Sequence, residues 1–293
     1  MERRRFIVKA GGALAAATAA TRIVDAPNVI AQPKFQWRLH TTWPKGLATL
    51  HGSAVRFADY VDQLTEGRLK IQVFAAGELI PPLQGFDAVT QGTVEAMHSA
   101  AYYWAGKTAA CQWFGAVPFG LSAQGMNAWF YEGGGLQLWD EVYAPFGVIG
   151  RPCGNTGTQM AGWFKKKING TQDLKGLKMR IPGLGGKVMA KAGATVVLLA
   201  GGDIFPALER GTIDATEWVG PEDDIKLGLH QAARYHYYPG WHEPGTVEEA
   251  VVNKKAYDAL PADIRHAVDR ASEANNIRTL ADYNHKNAVG LQR

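Results

Sequence analysis

The order in which strand-like and helix-like stretches follow one another constrains the fold of this chain more than any other feature. Residues 35–40 and 69–74 alternate apolar and polar side chains with the period of a β-strand, whereas residues 50–64 carry apolar side chains at helical spacing. A helical run over 85–92 then leads into an apolar stretch over 96–100. This order predicts an α/β fold with a mostly parallel sheet, and ligands bind beyond the carboxyl ends of such strands.

A second alternation of strands and helices begins near residue 153 and predicts a second lobe. The length of 293 residues, 46% of them hydrophobic, also exceeds what one hydrophobic core usually fills. We expect the first lobe to comprise 32–152 and 216–253, and the second lobe to comprise 153–215 and 254–293. Hinge strands and long helices should connect a mostly parallel sheet in each lobe.

The run over 262–293 is predicted to form one long helix with an apolar stripe. The residues of that stripe are Ile264, Ala267, Val268, Ala271, Ala274, Ile277 and Leu280. No glycine cap or helix breaker follows Gly290, so we expect the sequence to stop inside a longer helix.

The first 31 residues have the composition of an export signal. Three arginines over 3–5 precede the small apolar stretch 10–20, which is too short to span a bilayer as a stable helix. The paired arginines before Phe6 and Ile7 resemble a twin-arginine signal, with a cleavage site after Ala31. This predicts a periplasmic protein; an N-terminal amphipathic helix or anchor is the alternative.

Charge and cysteine content exclude several classes of protein. Five basic and two acidic residues within 1–31 account for +3 of the formal net charge of +4, which leaves +1 for the rest. A nearly neutral chain lacks the basic stripe of a nucleic-acid binder. Two cysteines are too few for a disulfide scaffold or a cysteine-ligated zinc site, and Cys111 and Cys153 are expected to be buried thiols, although pairing is open.

Catalytic motifs are absent from the sequence. The glycine-rich stretch 182–187 follows a predicted strand, but Val188 stands where a dinucleotide-binding fingerprint requires its third glycine. There is no nucleophile elbow and no His-Glu-x-x-His zinc motif. Single histidines such as His98 and His242 are interpreted as structural residues.

Charged and aromatic residues instead gather at predicted strand ends. Arg180 ends a short strand beside a proline turn, and its guanidinium fork suits a carboxylate. Glu217 and Trp218 lead into a Gly-Pro turn, and Glu243 lies among aromatic residues and prolines. Two such carboxylates would repel each other unless a cation lies between them. The alternative is that each glutamate faces water or an arginine.

The segments 173–182, 207–220 and 252–261 together resemble the extracytoplasmic solute-binding proteins of TRAP transporters, over nearly the whole mature chain. The Glu-Trp pair at 217–218, the Trp-His-Glu-Pro segment at 241–244 and the stretch 157–159 are similar to the branch that binds 2-oxo acids such as pyruvate, or lactate, through a metal ion. The resemblance implies a transport protein, not an enzyme, that delivers a small monocarboxylate to the membrane permease.

The same resemblance implies roles for individual residues. Arg180 and Gln159 would bind the substrate carboxylate, and Tyr102 and Tyr103 would close the pocket from the first lobe. The residues around Na⁺ or Ca²⁺ would be Gln159, Glu217, Trp218 through its backbone, and Glu243. A homodimer would form through a long C-terminal helix in the full-length protein, which the end at Arg293 puts in doubt.

One alternative function also fits the same residues. A periplasmic metal-dependent hydrolase could hold a cation between Glu217 and Glu243 and bind an anionic substrate through Arg180. Such an enzyme would also need a base and an open metal position.

Overall fold

In the computed structural model, which describes residues 35–293, the chain forms two five-stranded sheets flanked by helices. The predicted export signal over 1–31 lies outside the described residues. The strands are β1 (Phe35–Thr41), β2 (Leu69–Phe74), β3 (Ala96–Ser99), β4 (Val148–Asn155), β5 (Gly162–Phe164), β6 (Lys178–Arg180), β7 (Thr195–Val197), β8 (Ala215–Thr216), β9 (Tyr235–Tyr237) and β10 (Val247–Asn253).

The helices follow the predicted alternation and are mostly short. They are α1 (Leu50–Leu64), α2 (Gly85–Thr90), α3 (Ala123–Tyr131), α4 (Gly135–Tyr143), α5 (Gly183–Lys191), α6 (Gly201–Glu209), α7 (Pro221–Lys226), α8 (Leu229–Ala232), α9 (Lys254–Asp258) and α10 (Ala262–Gly290). None of the helices within 35–293 is long and apolar enough to cross a membrane.

Each sheet mixes parallel and antiparallel pairs. The strand order is β2-β1-β3-β10-β4 in the first sheet and β7-β6-β8-β5-β9 in the second. The pairs β1–β2, β1–β3, β6–β7 and β6–β8 are parallel, as expected for strands joined by helices. β10 and β5 run antiparallel to their neighbours, because the chain crosses from one lobe to the other before forming each of them. The two-lobe α/β prediction is confirmed.

The sheets divide the chain differently from the predicted lobe boundaries. β8 and β9 belong to the second sheet, and of the segment 216–253 only β10 joins the first sheet. α10 was expected in the second lobe, but it packs mainly against β4 and α1, and its far end reaches α7. The difference arises because sheet membership depends on pairing partners far away in the chain, which local periodicity does not reveal.

The buried face of α10 is apolar in its first half and polar in its second. Ile264, Val268 and Ala271 are buried as the predicted stripe requires, but they pack in the first-lobe core and not in the second lobe. Asn275 and Thr279 take over the buried face in the second half, while Ile277, placed in the predicted stripe, is 64% exposed. The predicted stripe therefore holds only for the first half of the helix.

The two cysteines do not form a disulfide. Cys111 and Cys153 are both free and buried. Burial raises the pKa of each thiol to about 12, so neither is a reactive thiolate at neutral pH. The expectation of two buried thiols is confirmed.

Candidate functional site

The strand ends of the second sheet bring a cation and an anion together. Arg180 ends β6 and lies in register with Thr216 of the parallel strand β8. The residues that follow parallel strands emerge at one edge of a sheet, so Glu217 lies beside Arg180. Gly183, with a φ of +61°, turns the chain away from β6, and its Cα lies so close to Tyr102 that a Cβ would come within 3.0 Å of that side chain. The second lobe thus meets the first directly beside Arg180.

Two segments that cross between the sheets complete the site. The segment 156–161 joins β4 to β5, and 238–246 joins β9 to β10. They hydrogen-bond to each other, because the backbone N–H of Gln159 donates to the carbonyl oxygen of Glu243 at 3.1 Å. Both side chains are therefore held at the junction of the lobes, although they are distant in sequence.

The side chain of Arg180 is only 1% exposed, and its guanidinium is surrounded by polar and aromatic partners. Its guanidinium forms an ion pair with the carboxylate of Glu217 and also donates to the carbonyl oxygens of Glu217 and Leu199, both at 3.2 Å. It also donates to the hydroxyl of Tyr103 at 3.2 Å and lies 5.1 Å from the centre of the Trp218 ring. Burial by itself would lower the pKa of Arg180, but the negative charge of Glu217 together with Tyr103 and Tyr102 outweighs it, and the pKa is raised. The site therefore contains a permanent positive charge.

Two buried carboxylates and a histidine lie next to this arginine. Ligand atoms of Glu217, His242 and Glu243 all lie within 4.8 Å of one another. Glu243 accepts hydrogen bonds from Thr246 at 2.6 Å and from Tyr102 at 3.5 Å. Burial, together with the charge of Glu217, raises the pKa of Glu243 to about 7. Two such acids close together favour a proton or a cation between them.

Gln159 supplies a neutral oxygen to the same place. Its amide nitrogen donates to the hydroxyls of Thr156 and Thr246 at 3.2 and 3.3 Å. Its Oε1 is buried and has no hydrogen-bond partner within residues 35–293. This amide oxygen and the carboxylates of Glu217 and Glu243 would offer a cation oxygen donors, which suit Na⁺ or Ca²⁺.

Tyr102 and Tyr103 approach from the first lobe, directly after β3. Their rings pack edge to face with centres 4.9 Å apart. Tyr102 donates to Glu243, and Tyr103 accepts from Arg180, so each hydroxyl reaches a different charged group. Burial raises the pKa of both, that of Tyr103 to about 12, so both hydroxyls stay neutral. The structure thus brings together every residue that the sequence analysis placed in the site.

Some residues of the site were not predicted. His242 was interpreted as structural, but its Nε2 lies 3.4 Å from Oε2 of Glu217. Burial by itself would lower the pKa of His242, but the hydrogen bond to Glu217 and the charges of Glu217 and Glu243 together raise it. Thr156 and Thr246 were missed because single threonines carry no distinctive pattern. Trp43 lies edge to face with Trp218 at 6.2 Å, and its position just beyond β1 is the signal that could have revealed it.

The site differs from the largest concavity on the described surface. A groove of about 670 Å³ lies on the second lobe and is lined mostly by apolar side chains. The cavity between the lobes measures only about 10 Å³, and its wall includes Trp43, Tyr103, Gln159 and Trp218. We assign function to the small cavity because Tyr102 and Tyr103 on its wall hydrogen-bond to Glu243 and Arg180, whereas no charged residue lines the groove.

Known proteins with similar sequences bind small solutes. The family model of the bacterial extracellular solute-binding proteins, family 7, matches residues 40–292. A monocarboxylate 2-oxoacid-binding periplasmic protein of Nostoc sp. is 48% identical over 299 aligned positions, which cover all of this chain and 81% of that protein.

Solved structures agree with the sequence comparison. A TRAP transporter solute-binding protein from Bordetella bronchiseptica, a mixed-occupancy dimer with calcium and picolinate bound in an active site, has a TM-score of 0.87 at 44% identity, covering 89% of this chain and 78% of that one. A TRAP periplasmic solute-binding protein from Pseudoalteromonas atlantica with bound sodium and pyruvate has a TM-score of 0.86 at 43% identity, covering 88% and 78%.

Proposed function

The chain belongs to family 7 of the bacterial extracellular solute-binding proteins, and from this premise we propose that its ligand is a small monocarboxylate bound together with Na⁺ or Ca²⁺. The ligand class is a 2-oxo acid such as pyruvate, or lactate. The protein captures it and delivers it to the membrane permease of a TRAP transporter. The observation that carries this proposal is the convergence of Arg180 with the buried carboxylates of Glu217 and Glu243.

The charges of the site suit an anionic ligand with a second oxygen near its carboxylate. Arg180 provides the positive charge and planar donors that a carboxylate needs, and Gln159 adds its amide. A cation held in this site would add positive charge for the ligand oxygens. Gln159, Glu217, Glu243 and the backbone of Trp218 would hold it. The arginine would then share its donors between Glu217 and the ligand.

The division of the site between the lobes favours capture by closure. Arg180 belongs to the second lobe, whereas Tyr102 and Tyr103 belong to the first. The crossing segments that carry Gln159 and Glu243 are the natural hinge, because they connect the two sheets. Ligand binding would therefore bring the tyrosines onto the charged groups.

The chain is a binding protein and not an enzyme, because its family and its relatives are solute-binding proteins. The comparisons give no support to the alternative of a metal-dependent hydrolase. We place the protein in the periplasm, like its Nostoc relative, with the paired arginines over 3–5 as its twin-arginine export signal.

A homodimer is part of the proposal. The Bordetella relative is a dimer, and the 670 Å³ groove of this chain includes Phe119 at 83% exposure and Tyr238 at 70%. Large exposed aromatic side chains around an apolar groove are typical of an interface. Sedimentation of the wild type and of the double variant Phe119→Ser/Tyr238→Ser would test this. A monomeric wild type would contradict the dimer. A dimer that persists in the double variant would show that the groove is not its interface.

A calorimetric titration of chelator-treated protein tests the ligand and the cation together. We expect pyruvate or lactate, but not succinate, to bind, and to bind at least tenfold more tightly after addition of Na⁺ or Ca²⁺. Cation and acid should strengthen each other by the same factor, since coupling is reciprocal. Glu243→Gln should abolish this mutual effect. Unchanged pyruvate affinity in exhaustively chelated protein would contradict the role of the cation.

A further inference from the structure

A buried acid that takes no part in the functions above lines the cavity between the lobes. Glu248 is the second residue of β10, and it is 1% exposed. Neither of its carboxyl oxygens has a hydrogen-bond partner among the described residues. Leaving a buried carboxyl unpaired is costly, so a group that pairs with it is required.

The fold is shaped to accommodate this carboxyl group. Gly154 faces Glu248 on the neighbouring strand β4, and a Cβ at position 154 would lie 2.4 Å from Oε2 of Glu248. Any larger residue at position 154 would therefore collide with the carboxyl group. The strand pairing is also irregular between Glu248 and Glu249, where a bulge changes the register.

The neighbouring residue on the same strand is also a buried acid, but its carboxyl group is hydrogen-bonded within the core. Glu249 is fully buried, and its two oxygens accept hydrogen bonds from Trp104 at 2.7 Å and Tyr143 at 2.8 Å. The fold provides two donors for this acid and none for Glu248. The difference follows from their surroundings, because Glu248 borders the cavity whereas Glu249 lies among the aromatic side chains of the core.

The protein groups nearest to Glu248 do not neutralise it. Nε2 of His98 lies 3.7 Å from Oε2, beyond hydrogen-bond distance, and burial lowers the pKa of His98 to about 4. Nδ1 of His98 accepts from the indole of Trp43 at 2.8 Å, as a neutral imidazole does. The charge of Arg56 favours the ionised form of Glu248, but the ion pair of Arg56 is with Asp282 at 3.5 Å.

Glu248 lies across the cavity from polar groups that also lack partners. Trp218, in the second lobe, has a buried Nε1 without a partner within residues 35–293, like Oε1 of Gln159. All three side chains line the same cavity. A ligand whose carboxylate is bound through Gln159 would then have its other end in the same cavity as Glu248.

We propose that Glu248 selects the ligand at this far end and favours 2-oxo acids that carry a hydroxyl group on C3 over those that carry a methyl group there. A hydroxyl can both donate and accept, so it pairs with a carboxyl group in either protonation state. A methyl group leaves the acid unpaired. This inference rests on the proposed function and refines its ligand class.

Binding of three acids to wild type, Glu248→Met and Glu249→Gln tests the inference by calorimetry with Ca²⁺ present. The acids are pyruvate, 3-hydroxypyruvate and 2-oxobutyrate, of which the last two are nearly equal in size. We expect wild type to prefer 3-hydroxypyruvate to 2-oxobutyrate by about tenfold to a hundredfold, the typical effect of leaving a buried polar group unpaired. Glu248→Met should lose this preference and keep its affinity for pyruvate within about threefold, while Glu249→Gln keeps the preference.

Several outcomes would overturn the inference. Equal binding of the two larger acids by wild type would do so, as would a preference that survives in Glu248→Met. If Glu248→Met does not fold, Glu248→Gln replaces it, and its amide, which donates and accepts, should retain the preference. Wild type that binds pyruvate without discriminating between the other two contradicts this inference alone, whereas wild type that binds none of the three contradicts the proposed function as well.

Discussion

At the scale of single residues, the ion pair of Arg180 and Glu217 determines what the site can do. Both side chains are 1% exposed, and each satisfies the other at the end of a short strand. A buried ion pair contributes little net stability, but removing one partner leaves an uncompensated charge. The pair is therefore better explained as a positioned charge for a ligand than as a source of stability.

We expect Arg180→Met to lose both stability and ligand binding. The substitution leaves Glu217 buried and unpaired, which should cost about 3–5 kcal/mol of unfolding free energy and weaken monocarboxylate binding by a factor of about 100 to 3,000. Urea denaturation and calorimetry measure the two effects. Arg180→Met/Glu217→Gln should recover most of the stability but not the binding, and wild-type affinity in either variant would contradict the assigned role of Arg180.

The buried acid Glu249 should make stability depend on pH. Burial raises its pKa to about 7, above the ordinary value of 4.5, despite hydrogen bonds from Trp104 and Tyr143. The folded state then binds the proton more tightly than the unfolded state. Its contribution is fully present below about pH 4.5 and is lost as the pH rises to about 7.

Glu249→Gln removes this titration. We expect the variant to gain roughly 3 kcal/mol relative to wild type between pH 4.5 and pH 8, because the amide has no proton to lose. Denaturation curves of both proteins at the two pH values measure the change in their difference. A difference that is the same at both pH values would show that Glu249 does not titrate in this range.

At the scale of secondary structure, the helix α10 contacts both lobes through different kinds of side chain. Its first half packs apolar side chains in the first-lobe core, and its second half buries amides and hydroxyls. Asn275 donates to the backbone oxygens of Cys153 at 2.6 Å and Ser53 at 3.1 Å, which ties β4 and α1 to the helix. Tyr283 donates to Asp223 of α7 at 2.5 Å and connects the helix to the second lobe.

In the second half of α10, substitution of a buried polar residue should lower the unfolding free energy more than substitution of a residue from the predicted apolar stripe. Asn275→Leu introduces an apolar side chain but removes donors from two buried carbonyl groups, so it should lower the unfolding free energy by about 2–3 kcal/mol. Ile277→Ser, on the 64% exposed position, should change it by less than about 0.5 kcal/mol. Urea denaturation measures the unfolding free energy of both variants. A larger loss in Ile277→Ser than in Asn275→Leu would favour an apolar stripe that continues through the second half of the helix.

At the scale of the whole molecule, few contacts of the site connect the two lobes. Tyr103 of the first lobe reaches Arg180 of the second at 3.2 Å, and Gly183 approaches Tyr102. Contacts of this kind depend on how closely the two lobes approach each other. They are the places where closure and ligand binding are coupled.

We expect Tyr103→Phe to weaken ligand binding about threefold to thirtyfold, mostly through faster dissociation. The variant loses the hydrogen bond between the lobes but keeps the aromatic ring, so the fold should persist. Stopped-flow tryptophan fluorescence gives both rates. Tyr60→Phe, in the first-lobe core, is the matched control and should leave both rates unchanged; a purely slower association in Tyr103→Phe would contradict this role.

Local periodicity was sufficient to identify most elements of this protein. The strands β1 and β2 and the helix α1 all lie where the sequence predicts them. These features depend on neighbouring residues, whose spacing repeats every two or every 3.6 positions. The position of Arg180 and Glu217 at strand ends was likewise evident from the sequence.

Only the tertiary structure decided which distant segments meet. β8 and β9 join the second sheet, α10 lies on the first, and Arg180 pairs with Glu217, which the sequence analysis had kept as one alternative. The polar stripe of α10 and the unpaired carboxyl of Glu248 depend in the same way on partners far along the chain. The spacing of apolar residues within a segment indicates the secondary structure of that segment. Which distant residues become partners depends on how all segments together bury their surfaces and pair their polar groups.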